Sequence, residues 1–287
     1  MRHILPLLWI TACGKKDPVL FPDRMSLDFI AVDQTNHTLI RRDELYGNDW
    51  ELDLPLGPRD IQLADPETVV VSHDKGAVKV DISTGEIVWE APGYFDINGI
   101  IAQPDGSVTL VTSELNTLRL ITVASNGDET GSQAYPQRPG VKIVRETSAN
   151  ELLFTYGEPW AFIQLDGLGN QMWGLQLPVQ GYMAIREPDG LYYISTMANR
   201  QVIAVRRDGS RAATYDGAID GDRFGLSRFA GFDVTDSRLV AVVNQADDPG
   251  AAKAVAYDIT MKPVWSWADE DVGLVTNLVV LNEHYPE

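Results

Sequence analysis

The chain has 287 residues, 23 Lys and Arg against 41 Asp and Glu, and one cysteine. A formal net charge of −18 excludes the basic surface that nucleic acid or anionic lipid head groups require. A single cysteine excludes a disulfide framework and any cysteine-based zinc site, and 44% hydrophobic with 22% charged residues describes a folded chain.

The N-terminus begins Met1-Arg2-His3, continues as the apolar run Ile4-Leu5-Pro6-Leu7-Leu8-Trp9-Ile10, and ends in Thr11-Ala12-Cys13. A positive start, a short apolar core and small residues before a cut point describe a secretory signal. The run is too short to span a bilayer. Ile10-Thr11-Ala12-Cys13 resembles the lipobox of bacterial lipoproteins: an aliphatic residue, two small ones, then Cys. The resemblance implies that residues 1–12 are a signal peptide, that the Cys13 thiol takes a diacylglyceryl group, and that the new amino group is acylated. Two or more acyl chains anchor a protein stably. Gly14 stands where an Asp would imply retention in the inner membrane, so the resemblance favours the outer membrane of a bacterial cell envelope. Residues 13–24 carry two prolines and no periodicity. They read as a lipidated tether with a reach of roughly 35 Å.

From residue 25 to 287 the chain repeats. Three strong copies are Val80-Asp81-Ile82-Ser83-Thr84-Gly85-Glu86-Ile87-Val88-Trp89, Leu165-Asp166-Gly167-Leu168-Gly169-Asn170-Gln171-Met172-Trp173 and Tyr257-Asp258-Ile259-Thr260-Met261-Lys262-Pro263-Val264-Trp265. Weaker copies fall at Gly47, Gly127 and Gly209, and the six markers are spaced by 38, 42, 42, 40 and 52 residues. Asp-Gly and Asn-Gly between apolar runs are hairpin signals, because these residues accept the positive φ of tight turns. Val, Ile, Thr and Tyr fill the runs, and helical spacing is nearly absent. Each unit reads as four antiparallel strands, A to D; in the third, A covers 97–103, B 107–112, C 117–124 and D 129–134.

Units of about 42 residues with four strands are the signature of propeller blades. The expected fold is all-β, a six-bladed propeller of four-stranded blades. The first unit begins with strand B, at 28–33, and a last A strand, 276–281, follows the sixth D strand. That C-terminal strand is expected to join blade 1 and close the ring, leaving no open edge.

The stretch around Thr84-Gly85-Glu86-Ile87-Val88-Trp89 resembles a repeat of quinoprotein-like propellers, and Tyr257-Asp258 with Val264-Trp265-Ser266-Trp267 resembles the blades of bacterial arylsulfotransferases. The resemblance implies the architecture; such blades host many activities. The repeated Trp is expected to wedge between neighbouring blades.

The A–B and C–D turns of one face are short and explained by turn chemistry. The B–C and D–A loops of the other face are longer and less uniform, as functional loops tend to be. There the candidate binding residues are Arg59, His73, Arg138, Trp160 and Arg200. Trp160 is not explained by the blade repeat, and Trp and Arg often carry binding energy when buried at a contact. Asp216, Asp220 and Asp222, interleaved with glycine, are weak candidates for calcium, which takes six to eight oxygens. No other cofactor is expected. No G-x-S-x-G, H-E-x-x-H or P-loop pattern occurs. The quinoprotein resemblance would imply a calcium-bound quinone, often beside a vicinal disulfide that one cysteine cannot form. The arylsulfotransferase resemblance would imply a histidine cluster, and His37, His73 and His284 do not form one along the chain. The expectation is therefore a lipid-anchored, non-catalytic module that binds a protein or small ligand at its loop-rich face and meets the membrane through its anchor alone. Alternatives are a propeller enzyme of either resembled type and a calcium- or carbohydrate-binding surface protein.

Overall fold

The structure, a computed structural model, describes residues 25–114, 117–136, 140–147, 149–157, 159–219, 224–246 and 248–284. It is a ring of six four-stranded antiparallel sheets. Blade 1 contains β1 (Ser26–Asp33), β2 (Thr38–Asp43) and β3 (Trp50–Asp53). Blade 2 contains β4 (Asp60–Asp65), β5 (Thr68–His73), β6 (Gly76–Asp81) and β7 (Ile87–Pro92). Blade 3 contains β8 (Ile97–Ala102), β9 (Val108–Glu114), β10 (Thr117–Val123) and β11 (Glu129–Pro136). Blade 4 runs through β12 (Val144–Glu146), β13 (Leu152–Tyr156), β14 (Ala161–Leu165) and β15 (Gln171–Gln176). Blade 5 runs through β16 (Gly181–Arg186), β17 (Tyr192–Thr196), β18 (Gln201–Val205) and β19 (Arg211–Asp216). Blade 6 holds β20 (Phe229–Val234), β21 (Val240–Asn244), β22 (Ala254–Tyr257) and β23 (Pro263–Trp267).

The last strand, β24 (Val275–His284), pairs antiparallel with β1 through Phe29↔Val280, Ile30↔Val279 and Ala31↔Leu278. It is the innermost strand of blade 1, so the two ends of the described chain close the ring in one sheet, as the repeat count predicts. The strand runs three residues further than the sequence reading, carrying His284 to the far end of the sheet opposite Ser26.

Burial follows position in the blade. The second strands are covered on both faces by neighbouring blades and read as apolar runs, as in Thr68-Val69-Val70-Val71. The fourth strands lie on the rim and are largely exposed, as in β7. The core is accordingly a succession of inter-blade layers: Ile30 and Val32 pack with Val69 and Val71 between blades 1 and 2, and Leu153 and Phe162 pack with Tyr192 and Ile203 between blades 4 and 5. The repeated aromatics bridge these layers. Trp50 donates its indole N–H to the Ile82 carbonyl of blade 2 at 2.8 Å. Trp265 donates to Glu44 of blade 1 at 2.9 Å and meets Phe29 edge-on. Trp173 lies 4.6 Å from the Tyr192 ring of blade 5. In blade 3, Tyr135 does the same work, donating to the Gly167 carbonyl of blade 4. Trp50, Trp265 and Tyr135 each couple a large apolar surface to one satisfied polar tip.

The turns of both faces show where much of the acidity goes. Twelve aspartates, from Asp33 and Asp43 through Asp258 to Asp269, each accept a hydrogen bond from the backbone N–H two residues on. These are Asx turns, in which the carboxylate substitutes for a backbone acceptor. Hydrogen bonds from neighbouring side chains and backbone hold Asp81, Asp105, Asp166 and Asp208 below the usual carboxylate range.

The C–D turns end in a left-handed residue, glycine at Gly85, Gly127, Gly169 and Gly209, but methionine at Met261, with φ of 63°. The Met261 side chain is 43% exposed and its N–H closes the turn on the Asp258 carbonyl. A non-glycine residue in this region costs about 1–2 kcal/mol. Met261→Gly is therefore expected to stabilise the protein by about 0.5–1 kcal/mol, read as a rise of ~1–3 °C in the thermal midpoint.

Candidate functional site

The six innermost strands line the channel. At their loop-side ends sits a buried polar knot. Asp60, the first residue of β4, receives both terminal nitrogens of Arg145 from β12 at 2.6 Å each. The same carboxylate accepts from Asn277 Nδ2 of β24 at 2.8 Å, from the Ile100 N–H of β8 at 2.9 Å and from its own neighbour Ile61 at 2.9 Å. Arg145 also donates to the Val144 carbonyl, and the Asp60 N–H is held by Ser72 Oγ. Asp60, Arg145 and Asn277 are all buried. Blades 1, 2, 3 and 4 thus meet on one carboxylate. Beside it, burial foremost and the Asp60 charge in addition push the Tyr182 phenol well above its usual range. The sheet makes room at one critical point: a Cβ on Gly231 would stand 2.1 Å from Asn277 Oδ1.

The second strands supply a related pattern. Their loop-side ends carry buried polar residues in all six blades: Asp33, Ser72, Thr112, Thr155, Ser195 and Asn244. Several tie the loops to the ring. Asp33 accepts from the Gly273 N–H of the loop preceding β24, and Asn244 donates to the Ala252 carbonyl while accepting from Ser227. Ser195 holds the Met183 N–H of the innermost strand as Ser72 holds Asp60.

On this framework the candidate binding residues take different parts. Arg59 forms an ion pair with Asp74 at 3.1 Å, while its backbone carbonyl accepts from Thr276. His73 is buried, and its Nδ1 accepts from the Lys75 N–H. Burial, with Lys75 adding, holds its imidazole below the usual range, so it is neutral at pH 7. Arg200 adopts a left-handed backbone, with φ of 54°, and donates to the Leu226 carbonyl at 2.9 Å. It braces the long loop before β20. Trp160 is 40% exposed, and its carbonyl anchors the Leu177 N–H. The B–C turn of blade 4 thus presents the ring outward. Arg59 and His73 come together in blades 1 and 2, whereas Trp160 and Arg200 stand in blades 4 and 5. Phe95, in the loop between blades 2 and 3, is 64% exposed. With Tyr94, Asp96, Ser113 and Arg119 it lines a cleft of about 340 Å³.

Arg138, Asp220, Asp222 and Cys13 lie outside the described residues. Asp216, the described member of the calcium candidates, spends one oxygen on the Ala218 N–H and the other on Gln201. Among the described residues no cluster of three or more His, Cys, Asp or Glu side chains is arranged to hold a metal.

The channel's other half opens on the turn face. A cavity of about 290 Å³ is walled by apolar side chains of β4, β16, β20 and β24, among them Ile61, Met183, Phe232 and Leu278, with Arg145 and Asp233 also lining it. Asp233 accepts backbone N–H bonds from Val280 and Val234 at 2.8 and 3.0 Å. Burial nonetheless pushes its carboxyl above the usual range. Glu187, just beyond β16, is pushed up to about 7, by burial first and then by Asp233, Asp189 and Asp236.

The fold and the channel define a six-bladed β-propeller with a sealed loop-side axis. No protein-family model and no curated protein matches the sequence. Solved structures match in shape. A protein of unknown function from Bacteroides caccae is 12% identical with a TM-score of 0.74, over 88% of this chain and 98% of that one. A chain of a nidogen/laminin complex is 9% identical with a TM-score of 0.70, over 89% and 98%. A streptogramin B lyase is 12% identical with a TM-score of 0.57, over 88% and 85%. At such identities the likeness is one of fold.

Two outcomes are expected. Removing one member of a buried ion pair leaves the other uncompensated, at about 3–5 kcal/mol. Asp60→Asn and Arg145→Met should each lower the urea midpoint on that scale, and the double variant should cost clearly less than their sum in a mutant cycle. For Glu187, the folded state holds its proton more tightly than the unfolded chain, so stability falls as pH rises from about 4.5 to 7. Glu187→Gln should leave the melting temperature at pH 4.5 unchanged. At pH 8 it should raise it by about 2–4 °C, corresponding to ~1 kcal/mol after allowance for solvent screening of this half-buried group.

Proposed function

We propose that the protein is a lipid-anchored propeller at the bacterial cell envelope that works as a non-catalytic binding or scaffold module. Its loop-rich face is the contact surface, for a protein or a small ligand. The observation that carries this reading is the sealed axis. A propeller enzyme of the kinds resembled above places reactive groups at the loop-side mouth of the channel. In this chain the charged groups at that position, Asp60 and Arg145, are buried and saturate one another. The Asp60 carboxylate accepts five hydrogen bonds and is not free to act as a base. His73, on that face, is buried, and its Nδ1 is occupied by the Lys75 N–H.

What the face offers instead is a braced rim with outward aromatics, Trp160 and Phe95, and a guanidinium at Arg59. The loops beneath are fixed by buried polar contacts, so the surface is preorganised and little ordering entropy is lost on association. Arg138 belongs to the same proposed surface, and Arg200 contributes by holding the loop that borders it. Anchoring falls to Cys13 after removal of residues 1–12, with the outer membrane favoured by Gly14. No cofactor is assigned, and calcium at Asp216, Asp220 and Asp222 is a minor proposal.

The test is cross-linking capture from envelope preparations with the lipidated full chain. Trp160→Ala and Phe95→Ala should weaken partner recovery about ten-fold, the effect of losing roughly 1.4 kcal/mol from an aromatic contact. Asp105→Asn and Asp189→Asn, on the turn face, should not. Cys13→Ser should leave an uncut or soluble precursor. Undiminished recovery with both aromatic variants would refute the proposed surface, and unchanged membrane fractionation of Cys13→Ser would refute the anchor.

A further inference from the structure

The turn-side half of the channel holds a buried carboxylate that has no ion-pair partner among the described residues. Arg145 reaches the inner end of that half, but its guanidinium is paired at 2.6 Å with both oxygens of Asp60. Its charge still favours the ionised form of Asp233 from across the cavity, against the larger opposing effect of burial, but no ion pair forms between them. Asp233 remains. It lines the cavity, is partly exposed to it, and is surrounded by protein. Among the described residues no Lys or Arg lies within ion-pair distance of its carboxylate; its partners are two backbone N–H groups. Glu187 adds a second acidic group nearby, and the two oppose each other's ionisation. Ionising a carboxyl in a largely apolar pocket is costly, so a cation that joins it there gains by holding it in the charged form.

The remaining wall selects the kind of cation. Ile61, Leu63, Met183, Ile185, Phe232 and Leu278 present hydrocarbon and sulfur, with Gln62 the other polar side chain. Gln62 is itself engaged, its Oε1 accepting from the Ala102 N–H at 3.1 Å. Such a wall offers nothing to the water shell of a metal ion, which would need several oxygen ligands. It suits a compact molecule with a charged nitrogen at one end and hydrocarbon at the other. The volume, about 290 Å³, equals that of roughly ten water molecules.

From this geometry we infer that the turn-side channel is a binding site for a small protonated amine, its ammonium seated on Asp233 and its hydrocarbon against the apolar wall. The site lies on the opposite face from the proposed contact surface and is independent of it. Its ligand reaches it without displacing the loop-side knot.

The test is calorimetric titration of the full chain with n-butylammonium chloride, and with n-butanol and sodium butyrate as isosteres lacking the positive charge. Butylammonium is expected to bind one to one, and the alcohol and carboxylate at least ten-fold more weakly. Asp233→Asn should weaken butylammonium at least ten-fold while leaving the circular dichroism spectrum unchanged. Because Asp233 also accepts two backbone hydrogen bonds, Ile185→Trp provides a second variant. It fills the cavity with the carboxylate intact and should abolish binding. The inference is overturned if butanol binds as well as butylammonium, which would mark a merely apolar cavity. It is equally overturned if a folded variant at either position binds as the parent does, or if butylammonium shows no saturable binding to the parent up to millimolar concentrations.

Discussion

The contact on which the ring depends is the two-pronged ion pair between Asp60 and Arg145, made across the channel between strands 85 residues apart. The propeller's blades are alike in their turns and in their bridging aromatics, so those features hold neighbours together without distinguishing one blade from another. The axial knot does distinguish them. One carboxylate takes an arginine from blade 4, an amide from blade 1 and a backbone N–H from blade 3, and among the described residues no other set of blades shows that combination. Buried ion pairs are poor sources of net stability, because desolvation offsets most of the attraction. Their value is in specificity, since any misassembled ring strands a charge in a dry interior.

The knot also divides the channel into two unlike halves. On the loop side the polar atoms are spent on one another and on the loops. On the turn side the strands become apolar, and Asp233 and Glu187 stand there without an ion-pair partner among the described residues. One half is a completed structural joint and the other leaves two carboxyl groups without such a partner. The same six strands serve both, because the β-bulges near the loop-side ends of β8, β16, β20 and β24 change which side chains face the axis partway along each strand.

The architecture was legible in the sequence because each of its parts has a local cause. Gly85, Gly127, Gly169 and Gly209 mark turns that need positive φ, and the aspartates before them close those turns. Trp50, Trp89, Trp173 and Trp265 recur at one place in the D strands. The closing strand followed from counting A strands, and Thr276-Asn277-Leu278 sits where that count placed it. The innermost strands were harder to delimit. Strand β20 starts at Phe229, three residues before the sequence reading, because a bulge shifts its apolar pattern out of phase. The axial site was only partly legible. Arg145 is a charge in an otherwise apolar strand, but its partner lies 85 residues away, and no spacing rule links two strands that meet across a channel. Asp60 was hidden beside Arg59, whose loop position drew attention instead. Arg200 reads as a binding candidate from its loop position and residue type; the sequence does not show that its guanidinium also donates to the Leu226 carbonyl.

The aspartate-closed turns have one more consequence. An Asx turn needs an acceptor oxygen on a short side chain, and asparagine supplies one as readily as aspartate. Asp43, Asp189 and Asp269 also face Arg41, Arg238 and Arg42, but at the other nine the charge is chemically separable from the role in the turn. Asparagine at those nine would take the formal net charge from −18 to −9 and still offer each turn its oxygen. Folding alone does not require the anionic coat, so it is an independent variable of the molecule. It sets colloidal repulsion and the long-range field through which any partner approaches, and it can drift between relatives while the ring stays the same.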